Sequence, residues 1–228
     1  MSSHVASTKA VRRWGAGTGA VVRLLVAADT PLTGVAIAKA VGLTQPRVSQ
    51  VLSQLAKAGA VNATEFGYVG MPEVLLELYR TRSRPNLVEA ESYWRAPSAL
   101  IEQAQQLLAV AKHHNSQLAI SADLGVELLS PKISSVRAVI YLDGVLPIQE
   151  AGFMAVETAL EATLVLRVTD DSSLLVPAVP WRQEILGLPL ADPCQQWVDL
   201  VEIGGKDRLQ IAEELQQAIV AKTLPRDS

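Results

Sequence analysis

Cysteine is almost absent. Cys194 stands alone, so no internal disulfide can form, and a lone cysteine usually packs rather than reacts. Histidine is scarce too: three histidines and one cysteine cannot supply the ligand spacing of a zinc site. Aromatic residues make up 4% of the chain, which leaves few stacking surfaces for a flat ligand. No apolar run reaches the roughly 18 residues a membrane helix needs. The polar stretch Met1 to Ala10 has no apolar signal region, so the expected location is a reducing cytoplasm with no membrane partner. Acidic residues are missing from one region above all. Residues 1–70 hold Asp29 and Glu65 against Lys9, Arg12, Arg13, Arg23, Lys39, Arg47 and Lys57, a net charge of +5. Residues 91–228 hold ten Lys or Arg against 18 Asp or Glu, a net charge of −8. The overall charge of −3 hides a basic head on an acidic body, an arrangement expected of a nucleic-acid-binding module joined to something else.

What is present is enough apolar material for a sizeable core: 49% hydrophobic residues against 19% charged in 228 residues, room for one large domain or two small ones. The most informative stretch is Thr44 to Val61. Val48, Val51, Leu52, Leu55 and Ala58 recur at helical spacing and predict one buried face. The opposite face carries Gln45, Arg47, Ser49, Gln50, Ser53, Gln54 and Lys57. It is rich in hydrogen-bonding groups, and its only charges are positive, which suits base edges and phosphates better than plain solvation. Arg47 and Gln50, near the helix start, are expected at base edges. Thr44, Ser49, Ser53, Lys57 and Lys39 are expected at phosphates. Arg12 and Arg13 are expected at the backbone or a minor groove. Gln45 and Gln54 complete the predicted DNA-binding set.

The surrounding residues place that helix in a motif. Val21 to Val26 predict a first buried helix ending near Asp29-Thr30-Pro31. Thr33 is a good N-cap for a short helix whose apolar face is Val35, Ile37 or Ala38, and Val41. Gly42 permits a sharp turn, Thr44 caps the next helix, and Pro46 sits harmlessly in its first turn. Helix, short helix, glycine turn and helix make a helix-turn-helix. Val61 to Val69, with Gly67 near its tip, predicts a hairpin wing without Lys or Arg, whose contacts would be Asn62, Thr64 and Tyr68. Pro72 to Arg80 predicts a helix. A linker with basic character, Arg80, Arg82 and Arg84, follows, expected as a solvated connector, with a contact to the DNA backbone as the alternative. Farther on, helices are expected over Pro97–His113, Ala122–Leu129, Asp192–Glu202 and Lys206–Lys222. Strands are expected over Gln117–Ile120, Val136–Leu142, Ala162–Thr169 and Leu174–Val179. The expected fold is therefore α+β (mixed α/β): a winged helix-turn-helix over residues 1–80, a linker over 81–92, and a larger α/β domain over 93–228.

Ile37-Ala38, Gly42-Leu43-Thr44, Arg47-Val48-Ser49, Leu52, Leu55 and Ala58-Gly59-Ala60-Val61 resemble the winged helix-turn-helix of MarR- and ArsR-type bacterial regulators. Over most of its length the chain also resembles AbiEi-like antitoxin regulators of type IV toxin–antitoxin systems. That likeness is carried by Tyr93 to Leu100, by the strand Val136 to Leu142, and by Leu190-Ala191-Asp192-Pro193 running through Trp197-Val198-Asp199-Leu200 to Glu213-Glu214-Leu215. The resemblance implies a DNA-binding autorepressor of its own operon. Its partners would be double-stranded DNA, a second copy in a homodimer, and a toxin with which it is functionally paired. Its second domain would not catalyse.

Nothing read from the residues supplies an enzyme's constellation. Neighbouring His113 and His114 point about 100° apart on a helix and do not chelate as i, i+4 pairs do. Asp170-Asp171 and Asp143-Gly144 follow strands and are expected as polar turns. Ile203-Gly204-Gly205-Lys206 lacks the P-loop spacing, and Asp207 stands where Ser or Thr is needed. No cofactor, metal or catalytic residue is expected. A ligand-responsive repressor and an enzyme with a fused DNA-binding head remain the alternatives.

Overall fold

The computed structural model describes residues 13–130 and 135–226. Its first helix, α1 (Ala16–Ala27), is buried on every side from Thr18 to Ala27. Apolar residues occupy every side of it, and the one charge among them, Arg23, is buried with hydrogen-bond partners of its own; a helix buried all round needs partners all round. Short α2 (Gly34–Val41) starts at Thr33, whose Oγ1 accepts from the Ala36 amide at 3.1 Å. It stops at Gly42, which adopts φ +66°, a backbone state glycine enters without a Cβ penalty. Ile37 and Ala38 are its buried residues, whereas Val35, expected on the apolar face, is 59% exposed. In α3 (Gln45–Lys57) Val48, Val51, Leu52 and Leu55 form the buried stripe. Ala58 is the exposed C-cap rather than part of that stripe, because the helix ends before the period reaches it.

Strands β1 (Val61–Thr64) and β2 (Gly67–Gly70) pair antiparallel around Glu65 and Phe66. A Cβ on Gly67, at φ +134°, would come within 2.6 Å of the Leu32 carbonyl. Leu32 and Tyr68 exchange backbone hydrogen bonds there at 3.0 and 2.9 Å, which ties the hairpin to the loop before α2. Helix α4 (Pro72–Arg82) closes the head, two residues beyond the predicted helix end.

The rest is built on a five-stranded mixed sheet. Its elements in chain order begin with β3 (Ser92–Arg95), α5 (Leu100–His113), β4 (Leu118–Ser121), α6 (Ala122–Leu129), β5 (Ala138–Leu142) and a 3-10 turn (Ile148–Ala151). Then come β6 (Met154–Ala155), β7 (Leu164–Val168), α7 (Ser172–Leu175), the small pair β8 (Glu184–Ile185) and β9 (Leu188–Pro189), α8 (Pro193–Ile203) and α9 (Lys206–Ala221). The strand order is β4-β5-β7-β3-β6, with β5 and β7 parallel and the other neighbours antiparallel. Period-two alternation sends Ala138, Ile140 and Leu142 into the core under α5, and Val139 and Tyr141 into the core under α7. The chain is thus a mixed α/β protein.

Two elements differ from expectation. Tyr93-Trp94, expected as the lead-in to α5, lies in β3, paired with both β7 and β6. Four residues are too few for alternation to show. Leu174–Val179, expected as a strand, begins instead inside the single turn α7, because Asp171 Oδ1 accepts from the Ser173 amide and caps it. A short apolar run fits either state until its cap is read.

The head and the C-terminal helices share one core. Val21, Leu25, Leu76 and Tyr79 pack in the same cluster as Trp181, Cys194, Trp197, Leu215 and Ile219. Polar contacts reinforce the junction: Arg226 pairs with Asp29, and Lys222 donates to the Ala28 carbonyl.

Candidate nucleic-acid interface

The buried stripe of α3 aims its other residues outward. Gln45, Arg47, Ser49, Gln50, Ser53, Gln54 and Lys57 are all exposed, as are Thr44 and, on α2, Lys39. With about 3.6 residues per turn, Gln50, Ser53 and Lys57 lie opposite the stripe, Arg47 and Gln54 on the flank toward α1, and Gln45 and Ser49 on the far flank. Thr44 is the N-cap of α3 by position, but its hydroxyl makes no capping bond. The helix carries no acid in its first turn.

Arg47 is not simply extended into solvent. Its Nη2 donates to Thr18 Oγ1 at 3.1 Å and its Nη1 to Gln50 Oε1 at 3.4 Å. It therefore lies along the flank of α3 toward α1. There it joins Arg13, Lys57 and Arg82 around a cleft of about 420 Å³, together with Gln54, Trp14, Gly15 and Thr18. The structure thus brings together Arg13, Arg47, Gln54 and Lys57 of the predicted set. Gln45, Ser49, Gln50, Ser53, Thr44 and Lys39 do not line the cleft. Arg12 lies outside the described residues.

Trp14, Gly15 and Thr18 are members that the sequence did not point to, and Arg82 was expected only in a linker with a backbone contact as its alternative role. Arg82 belonged to a predicted basic linker, and the structure separates its three arginines. Arg80 is held by Glu77 at 2.6 Å, and Arg84 pairs with Glu202. Arg82 sits over the Trp14 ring, 5.9 Å from its centroid. The carbonyl of Arg82 accepts from the Trp14 amide at 2.8 Å, which fixes the two segments against each other.

The hairpin offers little to an anion. Thr64 Oγ1 is occupied within the turn, donating to the Gly67 carbonyl and accepting from the Phe66 amide. Tyr68 packs against the core. Of its three expected contacts only Asn62 keeps an exposed amide, and the tip presents Glu65 and Phe66, the latter 69% exposed.

The body buries a polar network centred on Asp199. Asp199 accepts from Ser121, Tyr141, Gln195 and Arg167, and Arg167 also binds Glu91 at 2.6 Å. Burial pushes the Asp199 carboxyl above its usual range, and the Arg167 guanidinium opposes that shift. Burial likewise raises the Tyr141 hydroxyl, with the Asp199 charge adding to the rise. Ser121, Tyr141, Gln195 and Asp199 are all fully buried, so the cluster is closed to a substrate. A second cluster at the junction holds Arg23, which donates to Tyr79 at 2.8 Å and to Ser173 Oγ at 2.6 Å. Tyr79 in turn donates to Gln195 at 2.8 Å. One hydrogen-bonded chain therefore runs from α1 through α4 and α8 to the sheet.

The other sequence candidates occupy turns and caps. Asp170 accepts from Asn86, Asp171 caps α7, and Asp143 accepts from Ser116 and from the Gln117 amide. His113 and His114 close α5 with their rings edge to face. Cys194 is buried, which pushes its thiol well above the usual range. Among the described residues no group of three or more His, Cys, Asp and Glu is placed to hold a metal ion, and no helix is long and apolar enough to cross a membrane. No protein-family model and no curated protein matches this chain.

Proposed function

We propose that residues 13–82 form a winged helix-turn-helix that binds double-stranded DNA through α3, and that the chain is a transcriptional regulator. One observation carries this reading. The exposed face of α3 displays amides, hydroxyls and cations without a carboxylate, and its cationic flank continues into a cleft lined by two further arginines. Base edges in a major groove are read by such uncharged donors and acceptors, and phosphates by such cations. Gln50, Ser53 and Lys57 stand opposite the helix's packed side, and of these the uncharged Gln50 and Ser53 are the base-edge residues. The hairpin, acidic and aromatic at its tip, leaves that work to α3. The mixed-sheet domain is non-catalytic in this reading, with Asp199 tied into a closed, buried network. Autorepression, a homodimer on paired half-sites and functional pairing with a toxin follow from the AbiEi-like resemblance in the sequence.

The test is a gel-shift assay at fixed salt on the DNA upstream of the chain's own operon. Gln50→Ala with Ser53→Ala should cost ~1–3 kcal/mol of discrimination per lost base contact. Discrimination unchanged in that variant would sink the assignment of α3.

A second reading, a ligand-responsive repressor, is favoured by an apolar cleft of about 520 Å³ formed by Leu100, Ile101, Leu124, Leu128 and Ile185. A small apolar metabolite that raises the melting temperature and releases DNA would establish it. No thermal shift across a metabolite panel counts against it.

A further inference from the structure

The cleft beside α3 gathers four cations from three chain segments. We infer that it takes one backbone phosphodiester of the bound duplex, and that Arg47 grips this phosphate instead of a base edge. The inference rests on the DNA-binding reading above and deepens it by adding Arg82 and Trp14 to the interface.

Three chain segments converge on the cleft: Arg13 and Trp14 before α1, Arg47 and Lys57 on α3, and Arg82 at the end of α4. No carboxylate is among the lining residues, and none of the four cations has an ion pair among the described residues. Chain neighbours show that acids are within reach of this region, since Arg80 and Arg84 on either side of Arg82 each have a glutamate. Four like charges gathered around one concavity repel each other, and the fold does nothing to offset them. An anion does.

The donors are oriented in advance. The Trp14–Arg82 backbone bond and the parallel bridge between Trp14 and Ser83 lock the first and third segments together. The Trp14 ring backs the Arg82 guanidinium, a contact that guides a cation without neutralising it. Thr18, only 3% exposed, draws the Arg47 guanidinium toward α1. Of the five N–H donors on an arginine, two of Arg47's are used within the protein, which leaves three for a ligand in the cleft that Arg47 lines. Gly15, which caps α1 without a side-chain acceptor, also lines the cleft. The first amides of a helix lack intrahelical acceptors and carry the positive end of its dipole.

The position explains the choice of Arg47. A phosphate held between Arg47, Lys57 and Arg82 lies along the flank of α3 and leaves the outermost residues, Gln50 and Ser53, turned toward the groove floor. Contacts to phosphates set register and orientation, whereas contacts to bases set sequence. Arg47 as a clamp residue contributes affinity to every duplex alike.

The experiment measures duplex binding by the full chain with fluorescence anisotropy over a KCl series, using an operator duplex and one of mixed sequence. Arg82→Ala and, separately, Lys57→Ala, both of which leave the backbone bonds intact, should weaken both duplexes by the same factor. Each should make the log–log salt slope shallower by about 0.9, the share of one phosphate contact. Arg47→Ala should do the same, with discrimination between the duplexes preserved. Unchanged slopes in the Arg82 and Lys57 variants, or an Arg47 variant that loses discrimination at an unchanged slope, overturn the clamp while DNA binding stands. A wild-type chain that binds no duplex at low salt overturns the DNA-binding reading and the clamp together. Saturable quenching of tryptophan fluorescence by inorganic phosphate, abolished by Trp14→Phe and paired with unchanged slopes, assigns the cleft to a free phosphate ester and overturns the backbone assignment.

Discussion

The junction between head and sheet and the flank of α3 use the same residue types to opposite ends. At the junction Arg23 is 2% exposed and spends its guanidinium on Tyr79 and Ser173, with Asp192 3.9 Å away. Deeper in the body, Arg167 is shared between Asp199 and Glu91. On the flank of α3, Arg47 and Arg82 are bound by a hydroxyl, an amide oxygen and an indole ring, and by no carboxylate. A cation taken out of water must be matched, since an unmatched buried charge costs several kcal/mol. A cation in water need not be, but four of them around one cleft forgo a favourable arrangement that nearby arginines have. The junction therefore holds the molecule together, whereas the flank's cations are left without ion pairs among the described residues, as the proposed DNA contact would need.

The strongest attempt to break this contrast removes a partner at the buried end. Asp199→Ala removes the buried acceptor shared by Ser121, Tyr141, Gln195 and Arg167, leaves Arg167 with Glu91 as its one acid among the described residues, and should cost ~3–5 kcal/mol in urea unfolding. A cost below ~1 kcal/mol would mean that this network does not support the body. A local contact in the head should matter less: Thr33→Ala loses the α2 cap and should cost ~1 kcal/mol, with α3 still able to bind DNA.

The pH dependence sharpens the buried side further. Burial raises Asp192 and Asp199 above the ordinary carboxylate value of 3.8, so the folded chain holds these protons more readily than the unfolded one. Their contribution to stability is present below the unfolded pKa and is lost as pH rises through the folded pKa. Asp192→Asn, which can still cap α8, should flatten part of that fall in a series of urea midpoints. An unchanged profile would show that Asp192 is not its source. The smallest effect on stability belongs to the exposed face: Gln50→Ala should change unfolding by no more than ~0.5 kcal/mol while altering duplex preference. A large destabilisation there would turn the α3 face from an open surface into a structural one.

Local elements were legible where their signals are local. The cap at Thr33, the turn at Gly42, the stripe Val48-Val51-Leu52-Leu55 and the Asp192-Pro193 opening of α8 all stand as read. Each depends on residues within a turn or two of one another, so spacing alone reveals it. β3 was missed because its stability comes from two partners remote in sequence, β6 and β7. The cleft was half legible: Arg13, Arg47, Gln54 and Lys57 carried its chemistry, but neither Arg82 nor Trp14 could be assigned to it.

By itself, then, the sequence determined the segregation of charge, the polar face of α3, the helices of the head and the strands at the centre of the sheet. These follow from composition and period, which do not depend on what the chain later touches. Only the tertiary structure decided which arginines are spent and which are spare. Arg80, Arg82 and Arg84 are equivalent in a linear reading, yet two meet glutamates and one meets the cleft. Glu77 lies one helical turn from Arg80, but Glu202 and the cleft residues are remote in the chain from Arg84 and Arg82, and folding alone sets those distances.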